Sequence, residues 1–375
     1  MNDILQITLI LLSSFIATIL SQKIKIPAVV GQMLVGILLA PGFLGLIHSG
    51  HTLEVMSEMG IIFLMFIAGL ESDLSVLKKN FKPSLVVAVT GVIAPLIIFF
   101  LSAYWLGLGL STSFFYGIVF AATSVSITVE VLQEYGKLST RAGNIILGAA
   151  VVDDILAVLI LSIFNAIKNG GSQLLLRLLS EILFFIFLIF VHKSIPKIWK
   201  FIDKLPIYMK NTSAALIICL GLSLLSNAVG MSAVIGSFFA GIAISQTEVT
   251  QQIKEYSTSI AYIIFIPIFF VSIAISVKFD ALIHHPQIIL LFTILALLTK
   301  FIPAYFSAKL FKLGTSDSLL IGTGMISRGE MALIVAQIGL SASIINSDIY
   351  SELVIVIILS TLIAPFLIKK ALKIK

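Results

Sequence analysis

Apolar blocks close to the length of a membrane-crossing helix follow one another along nearly the whole chain, separated by short polar breaks. A helix needs about 20 apolar residues to cross the hydrocarbon of a bilayer. Lipid offers no hydrogen-bond partners, so a chain of such blocks folds as a bundle of helices, each satisfying its own backbone. Thirteen spans fit the sequence, at 3–21, 27–47, 56–72, 83–106, 112–133, 141–166, 173–192, 211–229, 231–246, 258–277, 286–308, 316–344 and 348–368. Only 11% of the residues are charged, against about 25% in soluble domains. The expected class is an all-α integral, multi-pass membrane protein whose first partner is the lipid bilayer.

The net charge of +6 therefore reports topology and implies no nucleic-acid partner. If the loop after the first span is inside, the inside loops and C-terminal tail hold 19 of the 24 basic residues. Outside loops hold Lys168, Arg177 and Lys278, and spans hold Lys300 and Arg328. Basic residues stay on the cytoplasmic side, so the N-terminus is expected outside and the C-terminus in the cytoplasm of an inner (cell) membrane. Asp3 stands where a signal peptide would carry basic residues, so no cleaved leader is expected. The one cysteine, Cys219, excludes an intrachain disulfide.

Two adjacent acids, Asp153 and Asp154, sit in the middle of an apolar span. One Asp at a helix centre costs about 2.5–3.5 kcal/mol on insertion scales, and such residues mark functional sites by default. Neighbours on a helix point about 100° apart, so one acid can serve a pocket while the other meets a neighbouring helix. Lys300 lies near the centre of its own span and needs an acid partner to keep its proton when buried. Asp153 is the candidate partner, and Asp154 the carboxylate that takes a cation and a proton in turn.

Ala28–Ile37 and Ala233–Ile242 share the pattern A-V-[VI]-G-x4-G-I, and Ile-Ile-Phe follows each at 61–63 and 263–265. The step between copies is seven spans, an odd number, so the copies have opposite topology. Inverted repeats of this kind build secondary transporters with the ion site at midplane, often on interrupted helices. The expected division is a first inverted repeat over 1–170 (six helices), a linker helix and basic loop over 171–205, and a second six-helix repeat over 206–375. The fifth span carries Thr123, Ser124, Ser126 and Thr128, and its repeat partner carries Gly322-Thr323-Gly324 and Ser327-Arg328-Gly329-Glu330. Both read as broken, crossed helices whose free carbonyls and hydroxyls suit a hard cation. An unbroken helix with back-bonded hydroxyls is the alternative.

The P-A-V-V-G-x4-G-x-L-L-A-P segment (Pro27–Pro41), F-x-A-G-L-E (Phe66–Glu71), A-T-S-V-S-I-T from Ala122, A-x-V-D-D ending at Asp154, Lys300 and R-G-E from Arg328 resemble, in this order, the monovalent cation:proton antiporter-2 family, close to its NapA-type Na+/H+ antiporters. The resemblance implies the NhaA/NapA-like antiporter fold and a homodimer. It implies a dimerisation domain over about 1–78 and 206–280, and a core ion-transport domain over about 83–166 and 286–370 that moves as an elevator. It makes Asp154 the Na+-binding carboxylate, pairs Asp153 with Lys300, and sets Thr123 and Ser124 against the Na+. Some relatives carry an acid at the position of Ser124. Potassium-efflux relatives carry a nucleotide-binding domain, which is not expected here.

The expected function is secondary, electrogenic Na+(Li+)/H+ antiport, two protons per Na+, with no enzymatic activity and no cofactor; Na+ (or Li+/K+) and H+ are cargo. A K+/H+ or Na+/H+-K+ exchanger of the same fold is the alternative. An intramembrane aspartyl protease would need its two acids on facing helices, and a channel would need a continuous pore. Arg328 and Glu330 read first as core support by an ion pair. Glu71 reads as an interface or loop acid with the ion pathway as alternative, and Glu130 is open between the two. His48, His51, His284 and His285 read as solvated loop residues, with pH sensing as the alternative.

Overall fold

The computed structural model describes residues 3–24, 27–72, 78–124, 126–169, 174–275, 286–341 and 343–374. Lys278, His284 and His285 lie outside that set, and so do the side chains of Asp154 and Glu330. The described secondary structure is helical throughout. In chain order the helices are α1 (Asp3–Lys23), α2 (Ala28–Leu39), α3 (His51–Leu70), α4 (Phe81–Trp105), α5 (Leu110–Ala121), α6 (Ser126–Glu134), α7 (Arg141–Asn169) and α8 (Leu174–Ile202). They continue with α9 (Lys210–Ala228), α10 (Ala233–Ile244), α11 (Thr250–Ile260), a π-helical turn (Ala261–Phe265), α12 (Ile266–Ile275), α13 (Pro286–Leu310), α14 (Thr315–Gly324), α15 (Gly329–Ser341) and α16 (Ser347–Leu372). Among the described residues, nine helical segments are long and apolar enough to cross a membrane, and α2 and α10 are shorter apolar helices.

Three spans differ most in extent from the sequence reading. The second stops at Leu39 rather than 47, because Pro41 and Gly42 follow and the chain folds into a turn in which Gly45 N–H donates to Ala40 C=O at 2.9 Å. The seventh runs on to Ile202, ten residues past its apolar block, with Lys193, Lys197 and Lys200 exposed along the extension. The tenth begins at Thr250, and the five-residue π turn interrupts it.

The chain divides into two compact units, Met1–Val55 with Asn80–Ala157 and Phe270–Lys375, and Met56–Lys79 with Val158–Phe269. In the first, α4 packs between α5 and α13, and α16 touches α2, α6, α13, α14 and α15. In the second, α10 packs against α8 and α9.

Each A-V-[VI]-G motif does the same job within its own unit. A Cβ on Gly31 would lie 3.0 Å from the Ala17 carbonyl oxygen on α1 and closer still to Ser21 Oγ. A Cβ on Gly236 would overlap the Leu222 carbonyl on α9. Each glycine lets a short helix lie backbone to backbone on the long helix before it, the small-residue contact that substitutes in lipid for a hydrophobic driving force.

Candidate functional site

The fifth span breaks after Ala121. Ala122 is extended (φ −62°, ψ 142°), Thr123 and Ser124 are non-helical, and α6 starts at Ser126. The twelfth breaks after Gly324, and α15 starts at Gly329, whose φ is +29°. The hydroxyls of the first segment therefore belong to a broken helix.

The two breaks are bonded to each other. Ser124 N–H donates to Ser327 C=O at 2.9 Å, and the Ser327 hydroxyl donates back to Ser124 C=O. Thr128 Oγ1 donates to Gly324 C=O at 2.7 Å, and Gly329 N–H donates to Thr361 Oγ1 on α16 at 3.2 Å. Broken helices leave backbone groups that water cannot reach, and here each break satisfies part of the other's shortage.

Asp153, on α7, is fully buried beside the crossing. Its Oδ2 accepts from Lys300 Nζ at 2.7 Å and from Thr123 Oγ1 at 2.5 Å. The ammonium has no exposed surface and runs past Gly91 on α4, where a Cβ would stand 3.5 Å from Nζ. No donor among the described residues reaches Asp153 Oδ1. Asp154 follows on the same helix.

Arg328 is the largest fully buried side chain of the described set. Its Nη1 donates to the carbonyl oxygens of Phe120 and Ala122, and its Nη2 donates to Ala296 C=O at 3.1 Å on α13. The carbonyl end of α5, read from sequence as ligands for a hard cation, is thus taken by a guanidinium. That end carries the negative pole of the half-helix, so a fixed cation there is favourable.

Thr123, Ser124, Ser126, Thr128, Asp153, Lys300 and Arg328 therefore lie on elements that meet at the crossing, all of them buried. Glu71 belongs to the other unit, where its carboxylate pairs with Lys254 at 2.7 Å. It lines a cavity of about 410 Å3 with Ser72, His192, Ser245 and Gln246. Sequence reasoning missed Gly91, Thr361 and Thr299, whose hydroxyl donates to Leu295 C=O and lies 3.5 Å from Arg328 Nη2. A glycine or a lone hydroxyl has no signature against an apolar background. Nothing in its motif marks Ser327 as the partner of Ser124.

The family model described as "Sodium/hydrogen exchanger, transmembrane" matches residues 10–374. A Na+/H+ antiporter of Enterococcus hirae is 44% identical over 366 residues, covering 96% of each chain. The Na+/H+-K+ antiporter GerN of Bacillus cereus is 40% identical, covering 97% of this chain and 95% of its own. Among solved structures, the sodium proton antiporter MjNhaP1 of Methanocaldococcus jannaschii superposes with a TM-score of 0.70 at 18% identity, over 98% of this chain and 97% of that one.

Proposed function

From the premise that this chain belongs to the sodium/hydrogen exchanger family, we propose how its two adjacent acids exchange the two ions. The protein is a Na+/H+ antiporter. In this reading Asp154 is the carboxylate that binds Na+ and a proton in turn, with Thr123 and Ser124 beside the ion. Asp153 and Lys300 carry the second proton. The observation that carries the reading is the buried Lys300–Asp153 pair, fixed by Thr123 where two broken helices cross.

A buried ammonium keeps its proton because Asp153 faces it. Na+ arriving at Asp154 adds a positive charge next to that pair and drives a proton from Lys300; departure of Na+ lets the proton return. Two protons then move against one Na+, and each cycle shifts one net charge. Competition for the same carboxylate is sufficient for coupling, because the site holds either Na+ or protons.

The thirteen-span reading, the inverted repeats, the homodimer, the outside N-terminus and the elevator motion of a core domain over about 83–166 and 286–370 belong to this proposal. Support for the repeats comes from Gly31 and Gly236, which make the same close approach in the two copies of one motif. The test is current on a solid-supported membrane after Na+, Li+ or K+ steps onto proteoliposomes. A Na+-evoked transient that Asp154→Asn abolishes is the expected result. A pH change without current would remove the two-proton cycle. A response to K+ alone would favour the potassium reading, for which the name of GerN is the specific observation.

A further inference from the structure

Helix α2 begins at Pro27–Ala28 without a side-chain cap from its own sequence neighbourhood. The first N–H groups of a helix have no partner inside it. Here Ala28 N–H donates to Glu134 Oε2 at 3.0 Å, from a residue 106 positions away. Glu134 is the last residue of α6, the nine-residue half-helix that starts at the break. A carboxylate on a helix N-terminus gains from both the hydrogen bond and the positive helix pole.

Both ends of this contact lie in the same compact unit, and each is anchored to a different neighbour. Helix α2 is fixed to α1 through the close approach at Gly31. Helix α6 is fixed to the crossing through Thr128 and Gly324. Glu134 lies eight helical steps beyond Ser126, a rod of about 12 Å with the crossing at one end and the latch at the other. Lys23 and Lys25 flank the start of α2, while Lys137 and Arg141 follow α6, so the charge rule sets this contact at the inner mouth.

We propose that Glu134 is a positioning residue, an inner latch that joins the half-helix α6 to the N-terminus of α2, holds the inner mouth closed, and releases in every transport cycle. The inference rests on the reading that the core moves against the elements carrying α2. If that core slides, a bond between α6 and α2 cannot persist through the cycle, and its strength biases the side to which the ion site opens.

Two measurements test it. In a Cys219→Ser background, Ala28→Cys with Glu134→Cys is cross-linked by a short bifunctional thiol reagent with a reducible spacer in proteoliposomes. Na+/H+ exchange is expected to fall at least tenfold and to return on reduction. A cross-link that leaves exchange at its former rate, or no cross-link at all, overturns the proposal. Because the double variant can be inactive before cross-linking, Glu134→Ala and Glu134→Gln are assayed separately from each face of oriented vesicles. Loss of the latch is expected to raise apparent Na+ affinity at the inner face and lower it at the outer face, by up to roughly tenfold. Gln, which keeps an acceptor, falls between Ala and the native residue. A variant that only lowers the maximal rate equally from both faces marks a structural role and sinks the latch. Failure of the antiport reading looks different: the unmodified protein then exchanges no alkali cation for protons.

Discussion

At the residue scale the decisive group is Asp153, buried with two donors on one oxygen. Removing one partner of a buried ion pair leaves the other charge uncompensated and costs about 3–5 kcal/mol. Lys300→Met is therefore expected to lower the thermal midpoint of the detergent-solubilised protein strongly, and Asp153→Asn together with Lys300→Met to recover most of the loss. In the two-proton reading the double variant also turns electrogenic exchange electroneutral, which the solid-supported membrane current reads directly. Much of this was legible in the sequence, because an ionisable residue in an apolar span has few explanations. Arg328 was legible as a buried charge but not in its partners. Main-chain carbonyls exist at every position, so nothing in the residues around Phe120, Ala122 and Ala296 announced that a guanidinium would meet them.

The crossing is where the element scale matters. Gly329 combines a φ of +29° with a Cβ direction pointing 2.4 Å from Ser124 Oγ and 2.5 Å from Ser124 Cβ. A side chain there meets both strain and overlap. Gly329→Ala is expected to destabilise the protein by about 1–3 kcal/mol, seen as a lower midpoint in a thermal-shift assay. Adding Ser124→Gly is expected to return the overlap part of the loss and none of the strain, whereas Ser124→Ala returns little because its Cβ stays in place. The breaks themselves were visible as polar and glycine interruptions of apolar spans. Their mutual bonds were not, since Ser124 and Ser327 lie 203 residues apart. Helix ends were less legible where an amphipathic stretch continues an apolar one, as in α8 past its lysines, or where a proline stops a helix early, as after Leu39.

For the whole molecule, lysine placement makes a claim that labelling can check. In a Cys219→Ser background, Ser49→Cys is expected to react with a membrane-impermeant thiol reagent added to intact cells, and Lys204→Cys only after the membrane is opened. Both positions are exposed, so access decides the outcome. The reverse pattern would invert the proposed topology. Arg328 also has a consequence at this scale. Its guanidinium keeps its charge in proteins, and it is stapled to the main chain of α5 on one side and of α13 on the other, from a position between α14 and α15. It works as a rivet through three parts of the bundle. A riveted assembly does not splay like a fan; the plates it joins keep their spacing at the bolt.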